Sequence, residues 1–481
     1  MKNDSLNATA QPDADGTDGG DGTDAAQEIR LDLVEKYNVA GPRYTSYPTA
    51  VQFSQDIPTD SLLADATEDF AAAREISAYV HIPFCETLCW YCACNTITTG
   101  ASRARATAYL DSLQRELALW QPRFPRRPQL GQLHFGGGTP TFLQPHEIDR
   151  LGDILHAAFD VATDAEVSVE IDPRRLTPEH LDAFHRLGAT RASFGVQDFD
   201  PDAQKAINRI QPFDVTADAV RWARERGYTS VNFDLIYGLP HQTETTFART
   251  LEQVVALAPD RLAVFSYAHV PWMRPAQKIF ERQASLPSPE RKLNLLKLVI
   301  ERLTRAGYVY IGMDHFARPG DELATARREK RLHRNFQGYS TKAGLSLLGL
   351  GVSAISQTPG AFRQNEKTLD AWQSRLDAGV LPIAKGVLLT AEDKRRREII
   401  MRIMCDLELD YASLGERLGV DIPATYGTEL ARLAPLAADG LVALAPDRLR
   451  VLPAGRLFLR NIAMAFDAYL DPAAAHHSRT I

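Results

Sequence analysis

At 481 residues, with 44% apolar and 24% charged side chains, the chain has the composition of an ordinary soluble protein large enough for two or more domains. No apolar run reaches the length of a membrane span and no basic-then-apolar leader opens it, so no membrane partner is expected. Of the net charge of −7, −6 sits in residues 1–28, and the nearly neutral remainder offers no global field for nucleic acid.

Residues 1–28 are rich in Asp, Gly, Ala and Thr and almost free of large apolar groups, which predicts a disordered acidic tail. Residues 29–75 read as an extended and helical segment. A short amphipathic helix carrying Leu31, Leu33, Val34 and Tyr37 leads into GPRYTSYPTAVQF, where Pro42 and Pro48 favour an extended, packed path. Such a segment either straps over the domain as a lid or carries Arg43 to an active-site mouth.

The run Ile76–Ile82 reads as a buried strand, and a loop with Cys85, Cys89, Cys92 and Cys94 follows it in the spacing C-x3-C-x2-C-x-C. Outside that loop the chain holds only Cys405, which excludes chance clustering and argues for a reducing cytoplasm rather than a disulfide framework. Clustered thiolates select zinc, copper(I) or iron–sulfur clusters. A zinc knot would normally use two ligand pairs set further apart, and a redox pair would be a lone C-x-x-C, so the favoured reading is an iron–sulfur cluster. Cys85, Cys89 and Cys92 can hold three corners of a 4Fe–4S cubane. Cys94 is too near Cys92 to be an obvious fourth ligand.

Beyond the loop, helices and strands alternate. Strands are predicted near Gln132–Phe135, Glu166–Ile171, Arg191–Val196, Ser230–Ile236 and Leu262–Tyr267, with amphipathic helices between them. With the first strand this makes six βα units over residues 76–310: an α/β fold with a partial (β/α)6 parallel barrel and its chemistry at the C-terminal strand ends. Residues 311–385 form an extension in which ATARREKRLHRNFQGYS is basic and LSLLGLGVSAIS is small and apolar, suited to close packing or to a loop against a ligand. Residues 386–481 read as a helical domain with one hairpin and a packing role.

Several polar residues recur at strand ends. Gly136, Gly137, Gly138 and Thr139 form either a plain strand-to-helix turn or a backbone cradle for a carboxylate. Glu170, with Asp172 beyond it, can bond ribose hydroxyls or an ammonium group, or simply cap or pair locally. Gln197 and Asp234 sit at equivalent ends, and Arg209 in the next connection has the planar fork that suits a carboxylate.

The C-x3-C-x2-C loop after a first strand resembles the radical S-adenosylmethionine enzymes. GPRYTSYPTA, YVHIPFC, FGGGTPT, SVEIDPR, SFGVQDF, NFDLIYGLP, SYAHVP, RLHRNFQGYST and LLGLGVSAIS extend the likeness, and the chain resembles the oxygen-independent coproporphyrinogen III oxidases over about residues 38–365, more loosely beyond. The resemblance implies a 4Fe–4S cluster on Cys85, Cys89 and Cys92 whose open iron chelates S-adenosylmethionine, releasing a 5′-deoxyadenosyl radical on reduction. It also implies two S-adenosylmethionine molecules: Tyr79, Gly137, Glu170 and Ile355 contact the cluster-bound one, and Tyr91, Gly138, Thr139, Gln197, Arg209, Asp234 and Ala268 contact the second. Tyr91 replaces the family's usual phenylalanine and keeps the ring. Phe336 and Gln337 are linked to activity, whereas KAGLSLLGLG lacks expected polar groups.

The implied reaction turns two propionates of coproporphyrinogen III into vinyls, giving protoporphyrinogen IX in haem synthesis. The partners are then coproporphyrinogen III and an external one-electron reductant such as a flavodoxin, and nothing requires more than a monomer. Arg43, Arg334 and Lys342 are the residues expected to meet substrate carboxylates. Two related branches are the rival readings: a haem-binding carrier, which generally has an aromatic at the position of Cys94 and lacks PRYTSYPT, and a methyltransferase acting on haem.

Overall fold

The computed structural model describes residues 31–470 apart from Ala101 and Ala284, and the predicted acidic tail lies outside them. Its centre is a sheet whose first six strands are β1 (Glu75–Ile82), β2 (Gln129–Gly137), β3 (Asp160–Ile171), β4 (Arg191–Gln197), β5 (Ser230–Tyr237) and β6 (Arg261–Ser266). These stand side by side in chain order and all run parallel. Helices Ala104–Trp120, Pro145–Ala158, Pro178–Arg186, Phe213–Glu225 and Glu244–Leu257 make the five crossovers and Pro289–Arg305 follows β6, so the six βα units are present.

Alternation along each strand explains the two faces of this sheet, because successive side chains point to opposite sides. Leu133 and Phe135 of β2, Val167 and Val169 of β3, Phe194 of β4 and Phe233 of β5 are buried in the core under the helices. The intervening positions are polar: Gln132 and His134, Ser168 and Glu170, Arg191 and Ser193, Asn232 and Asp234. The register aligns them in rungs. Tyr79, His134, Ser168, Arg191 and Ser230 are successive partners across β1 to β5, and Glu170, Ser193 and Asn232 form the next rung.

The sheet continues beyond both ends of this unit. β7 (Val309–Gly312) and β8 (His315–Ala317) extend it past β6 in antiparallel fashion. On the other side β9 (Ser346–Leu350) runs parallel to β1, followed by antiparallel β10 (Ile355–Gln357), β11 (Ala361–Asn365) and β12 (Ile383–Leu388). The small apolar segment LSLLGLGVSAIS is therefore a fully buried strand and the start of another. Its continuous hydrophobicity matches a parallel strand covered on both faces.

A second hydrophobic core lies around helix Ala391–Asp406, joined by a three-stranded antiparallel sheet of Glu408–Asp410, Val442–Leu444 and Arg448–Val451. Leu33, Val34, Tyr44 and Tyr47 belong to this core. Tyr44 donates to Asp467 at 2.9 Å, the Tyr47 hydroxyl accepts from Ala468 N at 3.0 Å, and Arg460 donates to the Pro42 carbonyl at 2.8 Å. The N-terminal segment is thus tied to residues more than 400 positions later.

One buried hydroxyl joins the start of the site to the β9 turn. Tyr109 donates to the His81 carbonyl at 2.6 Å and accepts from Val352 N at 3.1 Å, and it stacks on Trp372 with centroids 4.8 Å apart. Gly351 is required beside it, since φ is +95° and a Cβ would lie 2.3 Å from the Tyr109 hydroxyl. Tyr109→Phe leaves both backbone groups unpaired, with an expected cost of about 1–3 kcal/mol in denaturant unfolding.

Candidate active site

The polar rungs face a cavity of about 610 Å³, within the roughly 300–1,000 Å³ of small-molecule sites. Cys85, Cys89, Cys92 and Cys94 all line it, on the loop that follows β1. Backbone contacts fix this loop over the strand ends. Gly138 N donates to Ile82 O at 2.8 Å and Thr139 N to Phe84 O at 2.9 Å. A Cβ on Gly138 would stand 2.6 Å from the carbonyls of Phe84 and Pro83, so the glycine run first serves to let two backbones touch. On its far side the loop is held by Trp90 N on Ile207 O at 3.0 Å and by Gln277 on Tyr91 O at 2.9 Å.

His81 pins the end of the loop. Its Nε2 meets the Asn95 carbonyl at 3.0 Å, and since a carbonyl only accepts, Nε2 carries the proton and Nδ1 accepts from Tyr79 at 3.0 Å. Burial lowers the His81 pKa, consistent with this neutral form. Tyr79 therefore lies behind the cavity wall, stacked on His134 at 5.8 Å.

The carboxylates sit where the strand-end reading places them, with partners it did not name. Glu170 accepts from Gly137 N at 3.0 Å and contacts His134 Nε2 at 3.1 Å, while His134 Nδ1 contacts Ser168 Oγ at 2.6 Å. Burial works against the Glu170 charge, but the His134 and Gly137 bonds outweigh it and lower its pKa. Asp234 accepts from Ser193 at 2.9 Å and Asn232 at 3.0 Å; burial, with the nearby Glu170 charge, still pushes it up to about 6. Gln197 lines the wall in a left-handed conformation, φ +66°, that a side-chain-bearing residue seldom adopts.

Asp172 anchors two arginines. It binds Arg174 Nε and Nη2 at 3.0 and 2.6 Å and Arg209 Nη1 at 3.0 Å. Burial opposes its charge, yet Arg209 and Arg174 hold it down at about 2. Both guanidiniums also reach the Cys89 sulfur, Arg174 at 3.5 Å and Arg209 at 3.7 Å. Among the thiols, burial and then the neighbouring Cys92 and Cys89 push Cys85 up to about 12, whereas the Cys94 hydrogen bond holds Cys92 down at about 6.

Of the residues singled out in sequence, Tyr91, Gly137, Gly138, Arg209, Ala268 and Gln337 also face this cavity. Tyr79, Thr139, Phe336 and Ile355 are not in its wall. Thr139 accepts from Asp172 N at 3.2 Å, Phe336 packs edge-on against Phe362 at 5.8 Å, and Ile355 begins β10 with its carbonyl against Gly349. His134, Arg174, Arg191 and His315 line the wall without having been noticed. Polar residues at every second position of otherwise apolar strands were the available signal for His134 and Arg191.

The chain matches the Radical SAM superfamily over residues 79–254 and the HemN C-terminal domain over residues 389–458. An oxygen-independent coproporphyrinogen III oxidase of Salmonella typhimurium is 46% identical over 444 residues, covering 92% of this chain and 96% of the relative. One from Helicobacter pylori is 42% identical over 458 residues, covering 95% and 100%. The chain belongs to the oxygen-independent coproporphyrinogen III oxidase family. The solved coproporphyrinogen III oxidase of Escherichia coli, a radical SAM enzyme, superposes with a TM-score of 0.86 at 44% identity, covering 92% of this chain and 99% of that one.

The superfamily brings a 4Fe–4S cluster and S-adenosylmethionine, and the donor set here fits both. Among the described residues no three of His, Cys, Asp and Glu converge as they would on a single metal ion. A cubane spreads its thiolates further apart than one ion does, and three thiols of one loop share one cavity with two guanidiniums beside them. The Gln337 amide nitrogen and His315 Nδ1 are buried without partners, and the carboxylates of Glu170 and Asp234 line the same cavity. Those groups complement the carboxylate, ammonium and hydroxyls of the cofactor.

Asp172→Asn is expected to lower the melting temperature at pH 7, because two buried guanidiniums lose their shared carboxylate. The folded pKa of about 2 lies below the ordinary 3.8, so the contribution is present above about pH 4 and fades as pH falls toward 2. The gap between parent and variant should therefore be constant from pH 5 to pH 8, on the order of a few degrees, and narrow only below pH 4.

Proposed function

We propose that this chain carries out the oxidative decarboxylation of coproporphyrinogen III to protoporphyrinogen IX. What carries the reading is the placement of Cys85, Cys89 and Cys92 in the same cavity as Glu170, Gly137 and Asp234, in a chain of this family. A propionate C–H is too weakly acidic for a side-chain base to remove as a proton. When bound, the cluster and S-adenosylmethionine would supply one-electron chemistry that removes such a hydrogen as an atom; loss of carbon dioxide, with transfer of one electron to an external one-electron acceptor, leaves the vinyl group.

The protein's own residues bind, orient and shield. Cys85, Cys89 and Cys92 hold three irons. Glu170 and Gly137 take the cluster-bound cofactor, with Tyr79 and Ile355 supporting that side. Gly138, Gln197, Arg209, Asp234 and Ala268 take a second cofactor molecule, with Thr139 and Tyr91 setting its loop. Gln337 faces the same cavity, and Phe336 braces the turn that presents it.

A second cavity of about 670 Å³ adjoins the first and shares Arg43, Ser266, Tyr267 and Ala268 with it. Tyr237, Tyr310 and Trp272 give it aromatic walls, and Arg43, Lys292 and Arg460 give it cations, which suits a tetrapyrrole carrying several carboxylates. We place the macrocycle there, with one propionate reaching past Ala268 toward the cofactor. Arg43 is already ion-paired with Asp314 and lies over Phe265, so it is oriented at the junction. Arg334, 4% exposed, has Nε and Nη1 without acceptors and stacks on Tyr339 at 4.8 Å. Lys342 is engaged by Asp164 at 3.3 Å, and like Arg334 it lines neither cavity, so Arg43 is the one of the three expected carboxylate partners that faces them.

Cys405 is buried in helix Ala391–Asp406 with its sulfur against Met401, apart from the thiol loop. The reading takes its electrons from an outside carrier such as a flavodoxin. No described helix is long and apolar enough to cross a membrane. Nothing in the reading requires more than one chain.

Reduced, anaerobically reconstituted protein given S-adenosylmethionine and coproporphyrinogen III should yield protoporphyrinogen IX by mass. Haem binding without turnover, or a methylated open tetrapyrrole from haem, would point to the rival branches. Cys89→Ala should lose cluster iron and all turnover; full activity in that variant would overturn the reading. Lys292→Gln should raise KM about tenfold with kcat little changed, the roughly 1.5 kcal/mol of one charge-assisted hydrogen bond used equally in ground and transition states.

A further inference from the structure

We propose that Arg174 sets the reduction potential of the iron–sulfur cluster by donating a hydrogen bond to the Cys89 sulfur. The inference rests on Cys89 being a cluster ligand, as argued above. Arg174 lies in the turn Pro173–Arg175 that leaves β3, and the Asp172 side chain caps that turn by accepting from Arg174 N at 3.1 Å. The side chain then folds back onto the same carboxylate through Nε and Nη2, at 3.0 and 2.6 Å, which fixes the guanidinium plane. From there Nη2 also reaches the Cys89 sulfur at 3.5 Å.

Arg209 alone would neutralise Asp172. Its Nε is held by Gln211 at 3.1 Å and its Nη2 by the Gly195 carbonyl at 2.7 Å, while Nη1, already on Asp172, makes only the longer contact of 3.7 Å with the Cys89 sulfur. Arg174 is therefore a surplus cation: two guanidiniums and one carboxylate leave a net positive charge beside Cys89, a residue only 8% exposed. Water screens such a charge poorly in a buried site. Positive charge and hydrogen bonds at cluster sulfurs stabilise the reduced state, which carries one electron more, and so raise the potential. A protein that must accept an electron from an outside carrier gains from this placement. Arg fits better than Lys here, because one planar fork can bind the carboxylate bidentately and still offer a proton to the sulfur.

The test is a potentiometric titration of the reconstituted cluster followed by electron paramagnetic resonance, with iron counted in the same samples. Arg174→Gln should take up iron like the parent but be about tenfold less reduced at a fixed potential, a midpoint about 59 mV more negative for one electron. Arg174→Lys keeps the charge without the fork and should fall between the two. A midpoint equal to the parent's in an iron-replete Arg174→Gln protein overturns the inference. If Arg174→Gln does not hold iron, Arg174→Lys decides, and an unshifted midpoint there also overturns it. A parent protein that binds no iron would instead sink the cluster reading itself.

Discussion

The site depends on one constraint: six adjacent parallel strands must bury one face under helices and turn the other inward. Strand alternation sends Leu133, Phe135, Val167, Val169 and Phe194 to the helices. It sends His134, Ser168, Glu170, Ser193 and Asp234 to the interior in aligned rungs. Hydrophobic burial on one side thus pays for a polar interior on the other. A one-residue slip in any strand would exchange the two sets, so the register is strongly specified.

A second element places the thiols over that interior. The close approach at Gly138 docks the cysteine loop on the strand ends, and His81 and Tyr79 hold its far end through a chain of hydrogen bonds. The Asp172, Arg174 and Arg209 cluster, braced by Gln211 and the Gly195 carbonyl, then supplies charge to the loop and donates to Cys89. Several residues that look like ligands in the sequence, Thr139 and Tyr79 among them, spend their hydrogen bonds on this scaffold. Positioning and binding draw on the same motifs, and so motif membership alone does not separate them.

The six βα units, the thiol loop and the strand-end carboxylates of the cavity wall were legible in the sequence. Period-two strands, period-3.6 helices and proline or glycine stops are local features, and the thiol spacing is a local chemical fact. For LSLLGLGVSAIS, suited to close packing or to a loop against a ligand, the tertiary structure decided for close packing: Ser346–Leu350 is buried throughout as β9 because it has neighbours on both faces, not through any periodicity of its own. Phe336 and Ile355 were placed at the site by motif, yet their side chains pack in a small cluster with Phe53 and Phe362.

By itself the sequence determined the chemistry available: four thiols on one loop, three of them in the C-x3-C-x2-C spacing, carboxylates at successive strand ends, and a chain dense enough in apolar residues to bury a parallel sheet. Only the tertiary structure decided which of those groups meet. Arg174 and Arg209 converge on Cys89 from 85 and 120 residues away, and Tyr44 and Tyr47 pack against a region more than 400 residues later. Such contacts arise from folding the whole chain around two cores, and no local pattern encodes where distant segments arrive.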